Sequence, residues 1–258
     1  MATLTLPDGE LYYEVHGSGP PLVFAHGLGG GFLSWWQQVP HFRKRFSCVV
    51  FSHRGFAPSR DTGGRGPRAF VDDLDALLQH LHVDDVRLVG QSMGGWTCLG
   101  YALRRPEKVR GLVMACTTGP VTTPEIDAAT NRLRGRATAA FIRGVHPAAG
   151  ERMVRDQPAM HELYRGMDTL GGADKRAIRD VLLGMRTVTA RDLAGFKVPT
   201  LCLTAEEDFV CAPEAVAALA RILVNGRFLK VPETGHSIYW ERPALFNKIV
   251  DEFLDSIE

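Results

Sequence analysis

The chain predicts an α/β architecture: a mostly parallel sheet with helices on both faces. Three observations carry this expectation. Short, continuous apolar runs alternate with stretches of helical period. The runs lack the polar alternation of a half-solvated strand, as fits strands covered on both sides. Glycine and proline punctuate nearly every junction between them.

Taken in order, Thr3 to Leu6 and Leu11 to Val15 flank Pro7-Asp8-Gly9 and read as an opening hairpin. Leu22 to Ala25 is a buried strand entered from Gly19-Pro20-Pro21 and ending in the glycine-rich stretch Gly27 to Gly31. Ser47 to Phe51 is the next strand, followed by a Gly/Pro/Arg-rich loop from Ser52 to about Pro67. Phe70, Leu74, Leu77, Leu78 and Leu81 recur at helical spacing, with Asp72, Asp73 and Asp75 between them. Val86 to Val89 and Val109 to Ala115 are strands, and Gly94 to Arg105 is a helix that Pro106 stops. Leu201 to Thr204 and Arg227 to Val231 are two further strands, with a helix from Glu214 to Leu223 between them. An amphipathic helix begins near Pro243, since proline suits a first helical position, and carries Phe246, Ile249, Val250, Phe253 and Leu254.

The segment between Ala115 and Pro199 breaks the alternation. It has helical patterns and many arginines, no strand of comparable strength, and interruptions at Gly135, Gly144, Pro147, Pro158 and Gly171-Gly172. The expected organisation is a core of residues 1–119 and 196–258 with a helical cap inserted at 120–195. A length of 258 residues suits one large α/β unit carrying an insert better than two equal domains.

Composition excludes several classes. With 45% apolar and 23% charged residues, the chain is neither disordered, collagenous nor a coiled coil. A net charge of +1 gives no electrostatic footprint for nucleic acid. No apolar run reaches the roughly 18 residues of a membrane span, and the start lacks the basic and apolar regions of a signal peptide. The five cysteines are odd in number and form no CxxC, which favours buried thiols and a cytoplasmic protein over a disulfide framework.

The strongest chemical signal is Gly90-Gln91-Ser92-Met93-Gly94, a G-x-S-x-G run between a predicted strand and a predicted helix. In that context it reads as a nucleophile elbow, with Ser92 lifted clear of the sheet toward a helix N-terminus. A serine hydroxyl needs a base. Of nine histidines, His236 lies in a loop just past the last strand, where it can face the same crevice. His80 and His82 sit at a helix end and read as solvated, while His16, His41, His146 and His161 lack comparable context. The base needs an orienting carboxylate. Asp208 follows the Leu201 to Thr204 strand and is favoured, with Glu206 and Glu207 as competitors. The loop after the Val109 to Ala115 strand, Cys116-Thr117-Thr118-Gly119, offers no acid.

The loop His26-Gly27-Leu28-Gly29-Gly30-Gly31 should supply the second oxyanion donor, because glycines let backbone amides approach a substrate oxygen. The expected donors are the N–H groups of Leu28 and Met93. A dinucleotide-binding reading of this loop fails, since no helix leads from it to a strand ending in a ribose-binding acid. No cofactor and no metal are expected.

These motifs resemble those of the α/β-hydrolase superfamily, of the capped serine esterase and lactonase type. The matching pieces span most of the chain: HGLGG at 26–30, SHRGFAPS at 52–59, GQSMGG at 90–95, TAEEDFV at 204–210 and GHSIYWERP at 235–243. The insert carries little of this signal. One departure is His53, where the family commonly has Asp before Arg-Gly, and it bears on local loop hydrogen bonding. The resemblance implies the α/β-hydrolase fold and hydrolysis of carboxylic esters of small to medium groups through Ser92, His236 and Asp208. Ser92 sets the chain apart from haloalkane dehalogenases and epoxide hydrolases, whose nucleophile is Asp. Meta-cleavage-product hydrolases tend to carry Asn before the serine and Trp after the histidine, where this chain has Gln91 and Ser237. Carbon–carbon or lactone hydrolysis therefore ranks second, and a non-catalytic ligand receptor on the same fold is the reading from another class.

The insert gives two hints about the ligand. It carries an excess of positive charge, which could steer anionic substrates or simply solvate helix faces. Met153, Met160, Met167 and Met185 could form a permissive acyl pocket or pack between helices, and Trp35, Trp36 and Trp96 could line the pocket or fill the core.

Overall fold

The computed structural model describes residues 2–133 and 135–257. Nine strands among them form one sheet: β1 (Ala2–Leu6), β2 (Gly9–His16), β3 (Pro21–Ala25), β4 (Ser47–Phe51), β5 (Arg60–Asp61), β6 (Val86–Gln91), β7 (Val109–Ala115), β8 (Thr200–Ala205) and β9 (Gly226–Val231). The order is β1-β2-β4-β3-β6-β7-β8-β9, with β5 beside β2. The β1–β2 and β2–β4 pairs are antiparallel, and every pair from β4 through β9 is parallel. All the expected strands are present. β5 was not anticipated: it is two polar residues that pair with Gly9 and Glu10, with Asp61 also accepting the N–H of Gly66 at 2.7 Å.

The core helices are α1 (Val39–Phe42), α2 (Phe70–His80) and α3 (Gly94–Arg104). Between β7 and β8 come α4 (Pro124–Arg132), α5 (Arg136–Ile142), α6 (Glu151–Asp156), α7 (Pro158–Leu170), α8 (Lys175–Gly184) and α9 (Ala190–Leu193). The chain closes with α10 (Pro213–Ile222), α11 (Ile238–Glu241) and α12 (Pro243–Asp255).

Successive strand residues point to opposite faces, and each face meets its own helices. Val23, Val49, Leu88, Leu112 and Cys202 bury against Leu74 and Leu77 of α2, Leu99 of α3 and Leu219 of α10. Their neighbours Leu22, Phe24, Val50, Val89, Val113 and Leu201 bury against Phe42 of α1 and Phe246, Val250 and Phe253 of α12. Each such leucine or phenylalanine contributes about 1.5–3 kcal/mol of burial. This two-sided demand explains why the parallel strands read as unbroken apolar runs. The five cysteines are free, four of them buried and Cys211 half-buried. No helix is long and apolar enough to cross a membrane among the described residues.

The insert returns to where it starts. Val121 and Val188 form a parallel bridge, Thr122 N–H donates to Val188 O at 2.8 Å, and Val188 N–H donates to Pro120 O at 3.1 Å. Thr123 caps α4 by accepting the Ile126 N–H at 3.2 Å, and Asp174 caps α8 by accepting the Ala177 N–H at 3.0 Å. Helix α4 lies against α10, and its Ile126 and Ala129 join the same apolar cluster as Leu219.

Candidate active site

Parallel register decides where the site forms. Ala25 pairs with Gly90, Gln91 with Ala115, Ala115 with Leu203, and Ala205 with Val231. The carboxyl ends of β3, β6, β7, β8 and β9 are thus level, and the loops after them open onto one edge of the sheet.

Ser92 follows β6 directly and has φ 50°, in the left-handed region. Its N–H donates to Ala115 O at 3.0 Å, and its carbonyl accepts the Gly95 N–H at 2.9 Å, which starts α3. The turn leaves no room for flanking side chains. A Cβ at position 90 would lie 2.8 Å from Gly94 O, and one at position 94 would lie 2.1 Å from Ala25 O. Holding a serine at positive φ costs of order 1–3 kcal/mol, a strain associated with functional turns.

His236 is buried after β9, and its Nδ1 meets Asp208 Oδ2 at 2.8 Å. Asp208 is buried too, and its other oxygen accepts the N–H groups of Val210 and Cys211, each at 2.8 Å. The carboxylate is therefore fixed by two amides while it holds the imidazole. The competitors are engaged elsewhere: Glu206 Oε2 accepts Glu233 N–H, and Glu207 Oε2 accepts Glu151 N–H, both at 3.1 Å.

Ser92, His236, Leu28 and Met93 line one cavity of about 400 Å³. Among the described residues, neither the Leu28 nor the Met93 N–H has a protein acceptor. Two unsatisfied amides beside a serine hydroxyl are what a developing oxyanion requires. The structure thus brings together the predicted residues of both strand-end loops. Trp96 lines this cavity, Trp35 is core, and Trp36 is exposed. None of the four insert methionines lines it; Met153 is buried, and Met160 and Met167 pack beside it against the core.

The loop carrying His236 is tied on every side. Gln91 Nε2 donates to His236 O at 3.1 Å, joining the elbow to the histidine. Ser237 Oγ donates to Tyr164 Oη of α7 at 2.9 Å. Glu241 Oε1 accepts the N–H of Gly235 and the N–H of Gly150, both at 3.0 Å. Burial pushes the Glu241 carboxyl up to about 7, against the pull of those amides and of Arg152. Arg152 adds two more ties from α6, its Nη2 donating to Glu241 O at 2.8 Å and its Nε to Glu233 O at 3.3 Å. Gln91, Tyr164 and Glu241 escaped sequence reasoning. Gln91 and Glu241 stand inside motif runs, Tyr164 in the insert carries no such signal, and each has a partner distant in sequence, 145 positions away for Gln91 and 73 for Tyr164.

His26 and His53 brace the glycine-rich loop after β3 from behind. His26 Nδ1 donates to Gly27 O at 2.8 Å, so its Nε2 is left to accept the His53 N–H at 2.9 Å. His53 Nδ1 lies 3.0 Å from the same Nε2, and its own Nε2 lies 2.8 Å from Thr97 Oγ1. Burial pushes His26 down to about 4 and His53 well below the ordinary histidine range, so both are neutral. His53 is therefore accommodated as a neutral hydrogen-bonding link. Beside it, Arg54 is buried and paired with Asp73, Nε to Oδ2 at 2.7 Å and Nη2 to Oδ1 at 2.5 Å.

His146, set aside in the sequence, does face the cavity and lies 3.4 Å from Asp168 Oδ2. Cys116, Asp208 and His236 offer the one group of possible metal ligands among the described residues, with ligand atoms within 4.8 Å of one another. Burial first, and then the Asp208 charge, push the Cys116 thiol far above its ordinary range. A neutral thiol is a poor metal ligand, and the other two groups are already hydrogen-bonded to each other.

The chain belongs to the alpha/beta hydrolase fold family, whose model matches residues 20–162. Among curated relatives, it is 26% identical over 266 residues to "Putative carbamate hydrolase RutD" of Azorhizobium caulinodans, covering 97% of each chain. It is 26% identical to 3-oxoadipate enol-lactonase 2 of Acinetobacter baylyi, covering 96% of this chain and 94% of that one. Among solved structures, a thermophilic esterase from Thermogutta terrifontis superposes with a TM-score of 0.79 at 27% identity, over 99% of this chain and 97% of that one.

Proposed function

We propose that this chain is a serine hydrolase that cleaves carboxylic esters of small to medium groups through an acyl-enzyme. The observation that carries this reading is the buried His236–Asp208 pair, at 2.8 Å, opening on the same cavity as Ser92 and two unpartnered amides. Ser92 Oγ attacks the ester carbonyl while His236 Nε2 takes its proton. Asp208 holds the imidazole by Nδ1, sets its tautomer and stabilises the imidazolium. The Leu28 and Met93 amides receive the oxyanion, each contributing about 3 kcal/mol. His236 then protonates the leaving alcohol, and water releases the acid by the same steps in reverse roles.

The insert roofs the cavity through His146 in the loop before α6, Tyr164 of α7 and Leu182 of α8, and we read this segment as a cap. The partner is a small-molecule ester. Free thiols support a cytoplasmic setting. Lactone hydrolysis is the nearest second reading, because a lactone presents the same carbonyl and a relative is named an enol-lactonase. The discriminating experiment is steady-state hydrolysis of p-nitrophenyl acetate, butyrate and octanoate, with Ser92→Ala alongside. Multiple turnover that vanishes in the variant supports the proposal. No Ser92-dependent turnover on any ester sinks it.

A further inference from the structure

We propose that the substrate carries a carboxylate remote from its scissile carbonyl, and that Arg179 of the insert binds it. The inference deepens, and rests on, the ester-hydrolase reading of the same cavity.

The argument begins with α8. Lys175, Arg179, Leu182 and Leu183 all line the cavity, and their spacing puts them on one face of that helix. Arg176, one residue after Lys175, does not line it. The face that α8 turns toward Ser92 is thus apolar at its carboxyl end and cationic at its amino end.

The two cations differ. Lys175 Nζ lies 2.6 Å from Asp168 Oδ2 and also donates to Asp168 O. Burial alone would raise the Asp168 carboxyl, but hydrogen bonds from His146 and Lys175 hold it below the usual carboxylate range. Asp168 therefore stays ionised and balances Lys175. Arg179 has no carboxylate partner among the described residues, although the chain's other cavity charges are paired. Residues 120–197, the insert and the two that follow it, carry 13 Lys/Arg against 9 Asp/Glu. An approaching anion thus meets a favourable field.

The rest of the wall explains why the anion should be remote from the reacting carbonyl. Met93, Trp96, Leu182 and Val210 are apolar cavity residues that share its wall with Ser92. They suit a hydrocarbon spacer, while a guanidinium matches a carboxylate in a planar, two-point geometry. An acidic group with a short aliphatic or cyclic spacer, as in a half-ester of a dicarboxylic acid, satisfies both ends of the cavity.

The test compares two matched pairs by pH-stat. One pair has the carboxylate on the acyl side: mono-p-nitrophenyl adipate against the ester in which a terminal isopropyl replaces the carboxylate. The other has it on the alcohol side: the acetate ester of a hydroxy acid against its isopropyl isostere. For wild type, at least one acidic ester should exceed its isostere in kcat/KM by about tenfold, a modest factor because Arg179 is solvent-exposed. In Arg179→Ala that advantage should disappear through KM, leaving each acidic ester and its isostere with similar kcat/KM, and in wild type it should shrink as salt rises. Preference for neither acidic ester, or a preference that survives Arg179→Ala, overturns the proposal. If no ester is turned over in a Ser92-dependent way, the hydrolase reading fails on its own. Calorimetry with adipate then decides: binding abolished by Arg179→Ala upholds the anion site, and absent or Arg179-independent binding removes it.

Discussion

The Glu241 carboxylate receives the backbone N–H of Gly235 at 3.0 Å, one residue ahead of His236. The same oxygen receives Gly150 N–H from the insert, so one buried side chain holds the histidine loop and the start of α6 together. Glu241→Leu should orphan both amides and destabilise the fold by about 1–3 kcal/mol per unsatisfied group. It should also lower kcat more than it raises KM. Glu241→Gln keeps an acceptor and should restore most of the rate; equal losses in both variants would confine Glu241 to a structural role.

The same residue makes a signed pH prediction. Its carboxyl titrates near 7 in the folded chain against an ordinary value of 4.5, so the folded state holds the extra proton between those limits. Stability from this group is therefore lost as pH rises through that window. Urea midpoints of Glu241→Gln minus wild type should climb from pH 4.5 to 7. A flat difference would mean that the carboxyl is better solvated than its unpartnered Oε2 implies.

For Asp208→Asn, turnover should fall by about 10³–10⁴-fold with the thermal midpoint nearly unchanged, because the imidazole loses its orienting charge. Glu206 and Glu207 cannot substitute without leaving the loops they brace. Near-normal activity of this variant would take Asp208 out of the proposed triad.

Arg54→Met should cost about 3–5 kcal/mol, the penalty for stranding the buried Asp73 carboxylate. The double variant Arg54→Met, Asp73→Leu should recover part of that loss. Equilibrium unfolding of all three forms checks the claim, and a single variant within about 1 kcal/mol of wild type would contradict it.

Acid should weaken the His26–His53 link. His26 is held to about 4 against an ordinary 6.5, so the unfolded chain binds the proton first and stability falls as pH drops between those values. The window is worth on the order of 3 kcal/mol. His53→Gln, which leaves the backbone N–H to His26 in place, should show a shallower fall in urea midpoint than wild type. An identical slope would argue against protonation of this pair as the acid-sensitive step.

Much of the architecture was legible because its causes are local. β3, β6, β7 and β8 must be apolar on both faces, and glycines at 90 and 94 are forced by atoms of the elbow's own turn and the adjoining strand. Ser92, Asp208 and His236 could be named because strand ends announce themselves in sequence. What stayed hidden depends on distant partners. β5 is only Arg60 and Asp61, polar residues that become a strand because β2 offers an edge. His146 gains its place beside the cavity from the packing of α7, on which Asp168 stands. Glu241 looks like any helix-end acid until the fold closes two amides over it. The insert helices were expected as a group and not individually, because many of their residues stay solvated and blur the period.

The Val121–Val188 bridge gives the insert a narrow neck. Sixty-odd residues leave and rejoin the sheet at nearly the same point, so changes within α8 need not move β7 or β8. The two tasks, recognition and support, are therefore divided inside the insert: α8, with Arg179, could be exchanged for a helix of different polarity, while Gly150, Arg152 and Tyr164 went on holding the His236 loop.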